Sequence, residues 1–291
     1  MAPLRRHLCV IFNPTAGARR KRRLERVLAA LDALGAKPVL LETRAAGDAE
    51  VLAQSAARHG YDAVVAAGGD GTVNEVVNGL GDADIPLGIV PLGTANVLAA
   101  ELELATEPEA LAEVIACARV VPVFAGSANG RRFLMMAGIG FDARVVEGID
   151  LAWKRAAGKA AYVASALGCL ARLKAARYEV EIDGAVYGAA SLVIAKGHYY
   201  GGRFIVAAGA RLEEPVFEVA LFEHGSRFDV LRYAAALGAN RVAALDDARI
   251  VRGTRVRVTG PVGERVQIDG DLGAALPLEV TIAPRPLSLL R

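Results

Sequence analysis

The sequence has no long apolar run, few cysteines and little lysine. No stretch approaches the roughly 20 apolar residues that a membrane-spanning helix needs, which excludes a helical membrane span. The opening MAPLRRHLCVIF has a basic head, but its apolar run is too short for a secretory signal core and passes directly into NPTAG. Cys9, Cys117 and Cys169 are widely separated, odd in number and set in apolar patterns, which excludes a disulfide framework or a zinc site. Buried free thiols are expected instead, in a cytoplasmic protein that touches a membrane only from outside. Lysine occurs only at Lys21, Lys37, Lys154, Lys159, Lys174 and Lys196. That skew toward arginine, beside heavy alanine and glycine use and a formal charge of +2, reflects base composition rather than a nucleic-acid partner. Repeats, low-complexity tracts and long linkers are also missing.

What is present is 291 residues, 54% of them hydrophobic, enough for one large domain or two ordinary ones. Short β-rich apolar runs at 8–12, 38–41, 62–67 and 85–90 alternate with helical patterns at 19–34, 47–59 and 72–80. Such alternation predicts an α/β fold, a doubly wound parallel sheet with helices on both faces. Sheets of this type bind ligands beyond the carboxyl ends of their strands. NPTAG, Thr43, GGDGT and PLGTAN follow the four strands in turn, so all four loops fall on one rim. After about residue 120 the rhythm changes to strands at 178–183, 186–195, 203–208, 216–222, 255–259 and 264–269, with helices near 155–175 and 227–238. This predicts a C-terminal antiparallel, sandwich-like β domain, with a cleft between the domains. The expected division is 1–122 for nucleotide binding and 123–282 for the β-rich domain, with 283–291 completing the first. The final stretch LEVTIAPRPLSLL fits either domain.

Glycine between a strand and a helix permits positive φ and lets backbone N–H groups approach an anion without a Cβ in the way. A phosphate is the natural guest of AAGGDGTVNEVVNGL at 66–80, because a helix N-terminus adds unpaired donors and a positive dipole end. Thr72 and Glu75 have the T-x-x-E spacing of a capping box. A tight turn plus a cap explains Gly71, Thr72 and Glu75, but not Gly68 and Gly69 ahead of the acidic Asp70. The loop lacks the lysine of G-x-x-x-x-G-K-[ST] and the dinucleotide pattern G-x-G-x-x-G. An aspartate beside phosphate implies an intervening metal, which points to a Mg-nucleotide with Asp70 holding the ion directly or through water.

In order along nearly the whole chain, NPTAG at 13–17, GGDGTVNEVVNGL at 68–80, PLGTANVLA at 91–99, GIGFDA at 138–143, YYGG at 199–202 and IDGD at 268–271 resemble the diacylglycerol kinase and sphingosine kinase catalytic family, above all its bacterial soluble members. GGDGT alone is shared with NAD kinases and phosphofructokinases; PLGTAN and the D-G-acid turn narrow the resemblance to lipid kinases. The resemblance implies transfer of the γ-phosphate of ATP, with Mg2+, to a lipid hydroxyl, diacylglycerol being the default acceptor. It implies nucleotide contacts at Asn13, Pro14, Thr15, Ala16, Gly17, Thr43, Gly69, Asp70, Gly71, Thr72, Val73, Asn74, Glu75 and Thr94. Transfer to an alcohol also needs a group that accepts the hydroxyl proton. By the same resemblance Asp271 is that base, Asp269 positions it or the metal, and Asp70 completes the catalytic set. The second acid is usually Glu, so Asp271 reaches one methylene less far. Asp-Gly is also a common hairpin turn, the simpler reading of those residues alone.

Three positions depart from the family pattern. Val97 and Phe124 stand where relatives carry aspartates, and RLEEPVFEV offers Glu213, Glu214 and Pro215 where their metal loop has Asp-Asp-Gly. Glu214 is the candidate carboxylate for a structural metal. These departures motivate a second reading, a catalytically weak nucleotide- or lipid-binding sensor; an NAD-kinase-like enzyme is disfavoured by PLGTANVLA. The basic run ARRKRR at 18–23 could meet ATP or anionic lipid, or stay solvated. The segment 151–178 mixes Trp153, Tyr162 and Leu167 with six basic residues, which suits either an anionic membrane surface or a core-packed helix with a basic outer face.

Overall fold

The computed structural model describes residues 4–16, 18–147, 168–171, 173 and 176–291. The chain divides into two compact units, the first running to Phe124 and completed by Pro284–Arg291, the second Ala125–Ala283.

The first unit contains β1 (His7–Phe12), a 3-10 turn (Pro14–Ala16), α1 (Ala18–Ala33), β2 (Lys37–Glu42), α2 (Asp48–Ala56), β3 (Ala63–Gly68) and α3 (Asp70–Leu80). There follow β4 (Leu87–Pro91), α4 (Val97–Glu101), α5 (Pro108–Cys117), β5 (Val120–Val123) and, from the far end of the chain, β20 (Leu287–Leu290). The sheet order is β2-β1-β3-β4-β20-β5. All pairs are parallel except β20 with β5. The strand AVVAAG of β3 is buried along its whole length, as expected of a central strand covered on both faces. Leu24, Val27 and Leu31 of α1 join Leu111 and Ile115 of α5 in the core over Val10, Phe12 and Val65. Helices α2 and α3 pack on each other and against β1 and β3. Edge strand β2 leaves Val39 and Leu40 exposed. Of the three free cysteines only Cys9 is fully buried, and burial pushes its thiol up to about 11. Cys117 and Cys169 are half-buried, so the expectation of buried thiols holds fully for one residue of three.

The second unit begins with β6 (Gly126–Ala128), β7 (Arg131–Phe133), β8 (Met136–Ile139) and α6 (Phe141–Glu147). It continues with β9 (Tyr178–Ile182), β10 (Ala185–Ala189), β11 (Ser191–Ala195), the short pair β12 (Tyr199–Tyr200) and β13 (Phe204–Ile205), β14 (Phe217–Phe222) and α7 (Arg227–Gly238). The last strands are β15 (Ala248–Gly253), β16 (Arg255–Thr259), β17 (Arg265–Ile268), β18 (Asp271–Ala275) and β19 (Leu278–Ile282). Two six-stranded sheets, β10-β9-β16-β19-β6-β7 and β15-β14-β11-β8-β17-β18, share a core that includes Phe133, Tyr178, Ile194, Phe217, Val256 and Val280.

Several boundaries differ from those the sequence predicts. The run 186–195 is two strands, because the chain passes at Ala190 from one sheet to the other. The strand expected at 203–208 is only the two residues of β13. LEVTIAPRPLSLL divides between β19 and β20, since Pro284 and Pro286 lack the N–H that a ladder needs. The helix at 227–238 forms, its start set by a capping box of Ser226 and Asp229. The helix expected near 155–175 and the segment 151–178, with Trp153, Tyr162 and Leu167, lie mostly outside the described residues.

Candidate functional site

Strand β1 pairs with β2 on one side and β3 on the other, so the chain reverses direction across the sheet at β1. The carboxyl ends of such neighbours form a crevice suited to a ligand. Backbone bonds carry the ladder one residue further: Asn13 N donates to Ala67 O at 3.1 Å and Thr43 N to Phe12 O at 2.9 Å. Asn13 Nδ2 donates to Thr72 Oγ1 at 3.2 Å, and its Oδ1 accepts from Thr15 N at 3.1 Å and Thr15 Oγ1 at 2.7 Å. One asparagine thereby joins the loops after β1 and β3. Pro14 and Thr15 are exposed, Thr43 is buried, and Thr94 is exposed and accepts from Arg20 Nη2 at 3.2 Å. Arg20 is thus a rim residue of the basic run, not singled out by sequence reading. Gly17 lies outside the described residues.

The glycines of GGDGT act differently from expectation. None of Gly68, Gly69 and Gly71 has positive φ; Gly69, the residue capping α3, has φ of −91°. Gly68 and Gly69 serve close approach. A Cβ on Gly68 would lie 2.4 Å from Thr72 Oγ1, and one on Gly93 would lie 2.6 Å from Gly69 Cα. The loops after β3 and β4 therefore touch backbone to backbone.

The Thr72–Glu75 capping box does not form. Helix α3 starts at Asp70, which puts Thr72 inside the first turn, where its hydroxyl meets Asn13. Glu75 turns to the start of α2, accepting from Gly47 N at 3.0 Å and Ala49 N at 3.2 Å, where open N–H groups and the positive dipole end favour a carboxylate. Val73 and Asn74 are buried; Asn74 accepts from Asn78 Nδ2 through both its backbone O, at 2.9 Å, and its Oδ1, at 3.2 Å.

Asp70 likewise serves a neighbouring helix. Its Oδ1 accepts from Leu98 N at 3.3 Å, and backbone N–H groups of Asn96 and Val97 also favour the carboxylate. Burial nevertheless dominates and pushes its carboxyl above the usual range. Asn96, at φ of 46°, accepts from Gly93 N at 2.7 Å and donates to Gly93 O at 2.9 Å, fixing the PLGTAN loop against Asp70. Val97 is buried at the first position of α4.

In the second unit, Ile268 and Asp271 pair across the hairpin joining β17 and β18. Its two turn residues, Asp269 at φ of 50° and Gly270 at φ of 88°, both have the left-handed backbone that a two-residue hairpin requires. The Asp269 carboxylate accepts from Leu134 N at 2.9 Å, Met135 N at 2.9 Å and Met136 N at 3.0 Å. Asp269 thus ties the turn to the neighbouring loop, and Asp271 stands exposed at the head of β18. Gly270 N donates to Gln267 Oε1 at 2.7 Å, and Gln267 Nε2 to Asp142 Oδ2 at 2.8 Å; the Tyr200 hydroxyl donates to Asp142 Oδ1. The motifs GIGFDA, YYGG and IDGD thereby form one hydrogen-bonded set. Gln267, the link between them, belongs to none of the motifs and stands one residue before IDGD, so sequence reading missed it. Burial pushes the Asp142 carboxyl up, opposed by the bonds from Tyr200 and Gln267.

The metal expectation at Glu214 fares differently. Glu213 and Glu214 are exposed, and Glu214 forms an ion pair with Arg252. Among the described residues no group of three or more His, Cys, Asp or Glu side chains could hold a metal ion.

A doubly wound sheet with glycine-lined loops at its switch point defines a nucleotide-using α/β protein, and the comparisons say which kind. Residues 7–128 match the family described as the diacylglycerol kinase catalytic domain, and residues 135–291 the YegS C-terminal NAD kinase beta sandwich-like domain. The diacylglycerol kinase of Bacillus subtilis (strain 168) is 30% identical over 283 residues, covering 93% of this chain and 91% of that protein. The diacylglycerol kinase of Mycobacterium tuberculosis (strain ATCC 25618 / H37Rv) is 31% identical over 256 residues, covering 84% and 82%. The fold matches a crystal structure of a diacylglycerol kinase from Bacillus anthracis str. Sterne with a TM-score of 0.81 at 23% identity, covering 98% of this chain and 97% of that one. The chain belongs to the diacylglycerol kinase catalytic family of ATP-dependent lipid kinases. It is a phosphotransferase with an alcohol group as acceptor.

Proposed function

We propose that the protein transfers the γ-phosphate of ATP to the free hydroxyl of a diacylglycerol-like lipid, with the first unit binding the nucleotide and the second presenting the acceptor. The observation that carries the donor side is the Asn13–Thr72 bond at the switch point of the sheet. Around it Thr94 and Arg20 offer hydroxyl and guanidinium donors, and the first turn of α3 offers open N–H groups to phosphate. Mg2+ fits this rim, because a nucleotide-bound Mg2+ needs only one or two protein carboxylates beside the phosphates, and Asp70 supplies one. Held there by Asp70 and the phosphates, the ion would supply positive charge to offset that of the phosphates. Asp271 accepts the proton of the attacking hydroxyl; it is exposed and borne on a turn that Asp269 and Gln267 hold in place. The relatives named diacylglycerol kinases support the acceptor class. Among the described residues no helix is long and apolar enough to cross a membrane, and we place the protein in the cytoplasm, meeting its lipid by peripheral contact with an anionic surface.

The test is transfer of labelled γ-phosphate to a panel of lipids carrying a free hydroxyl, with the product identified. Diacylglycerol is expected to be labelled, and Asp271→Asn to lose about 10²–10⁴ of the rate, the range general-base removal gives, while still binding ATP. Unchanged transfer by Asp271→Asn would remove Asp271 from this role; labelling of another lipid alone would reassign the acceptor.

A further inference from the structure

Lys196, the residue after β11, is completely buried. Its Nζ donates to Arg211 O at 2.6 Å, Glu214 O at 2.8 Å and Leu212 O at 3.5 Å. An ammonium is rarely taken out of water without compensation, and here converging main-chain oxygens of one loop contribute to it. Neutral carbonyl oxygens gathered in this way are hard donors of the kind that hold inorganic cations. The resemblance set out above implies Asp-Asp-Gly and a structural metal at this loop, where this chain has Glu213, Glu214 and Pro215. The Glu214 carboxylate turns outward to Arg252 while its carbonyl turns inward to Lys196. The rest of the loop is also held by the chain's own charges: Arg211 Nη1 donates to Ala208 O at 2.9 Å and Ala210 O at 2.7 Å, and Gly209 N donates to Glu218 Oε2 at 3.0 Å.

We propose that Lys196 is the resident cation of this loop, a tethered ammonium in place of a structural divalent ion, so that the second unit folds without one. A tethered positive charge that these carbonyls already accept does not require the Glu214 carboxylate, which turns outward to Arg252. The enzyme's demand for divalent metal then reduces to that of its nucleotide. This assignment is independent of the acceptor lipid and of Asp271, since its test requires no turnover.

The experiment is thermal melting of the full chain without nucleotide, in EDTA and in millimolar Mg2+ or Ca2+. The wild-type midpoint is expected to be the same in all three. Lys196→Met, which keeps the stem and removes the charge, is expected to melt about 5–10 °C lower, because several buried carbonyls lose their partner. A wild-type midpoint that drops in EDTA overturns the proposal, as does a Lys196→Met protein that melts like wild type. Should Lys196→Met fail to fold, the wild-type comparison decides.

Discussion

Gly69 and Gly93 face each other so closely that a Cβ on Gly69 would lie 3.2 Å from Gly93 Cα, and one on Gly93 would lie 2.6 Å from Gly69 Cα. The asymmetry gives the first prediction. Gly93→Ala, which would also press on Asn96 Oδ1 at 2.6 Å, must push the two loops apart, whereas Gly69→Ala needs a shift of only tenths of an ångström. In calorimetric titration with ATP, Gly93→Ala is expected to weaken binding by about tenfold or more and Gly69→Ala by clearly less, on the scale of displaced binding groups. Equal effects would mean that the contact does not set the loop geometry.

Asp70 supports α4 as well as the proposed Mg-nucleotide, and two substitutions separate these tasks. Asp70→Ala is expected to lose about 1–2 kcal/mol of stability, the usual scale for a lost helix-start acceptor. Asp70→Asn keeps a neutral oxygen for the α4 amides and is expected to recover part of that stability. Its ATP affinity in Mg2+ should still fall about tenfold, through loss of the charge. An Asp70→Asn protein with wild-type affinity in Mg2+ would leave Asp70 as a purely structural acceptor.

The two aspartates of IDGD are expected to fail in different ways. Asp269 accepts three backbone N–H bonds, so Asp269→Asn, with one oxygen replaced by a donor, should lower stability by about 1–3 kcal/mol in urea denaturation. Exposed Asp271 should tolerate Asp271→Asn within about 0.5 kcal/mol while turnover collapses. Loss of stability in the Asp271 variant and not the Asp269 variant would reverse these roles.

Asp247 yields a pH prediction. Arg232 bonds to its carboxylate and, with help from the Tyr233 hydroxyl at 2.7 Å, lowers its pKa to about 2. An unfolded chain has this group near 3.9. The folded form therefore gains stability that is fully present above about pH 4 and is lost as pH falls through about 2. Because Arg232 is partly solvated, the contribution is about 1–2 kcal/mol. Asp247→Asn should lose that amount at pH 7, and its stability should fall less steeply than wild type between pH 4 and pH 2.

The parallel sheet and its rim were legible because long apolar strands, punctuated by glycine and proline, carry a local signal. What needed three dimensions was which partner each group found. T-x-x-E at 72–75 has the spacing of a cap, but Gly69 in extended backbone starts α3 earlier and Glu75 finds the end of α2. Lys196 in IAKGHYY has no local signature, because its partners are carbonyls of a loop some fifteen residues on. LSLL could not reveal its partners either, since three leucines around Ser288 pack equally well in either unit. The turn at Asp269 and Gly270 was open to a structural and a catalytic reading, and the structure shows the hairpin directly.

The position of β20 affects synthesis. Strand β4 has β3 on one side and β20 on the other, and β5 joins the sheet only through β20. A growing chain leaves the ribosome amino end first, so β4 must wait with one edge bare until the entire second unit has been made. An uncovered central strand invites pairing with the wrong chain. The nascent protein is therefore most exposed to misassembly while its sandwich is being translated, and that interval closes only when Leu287–Leu290 emerge.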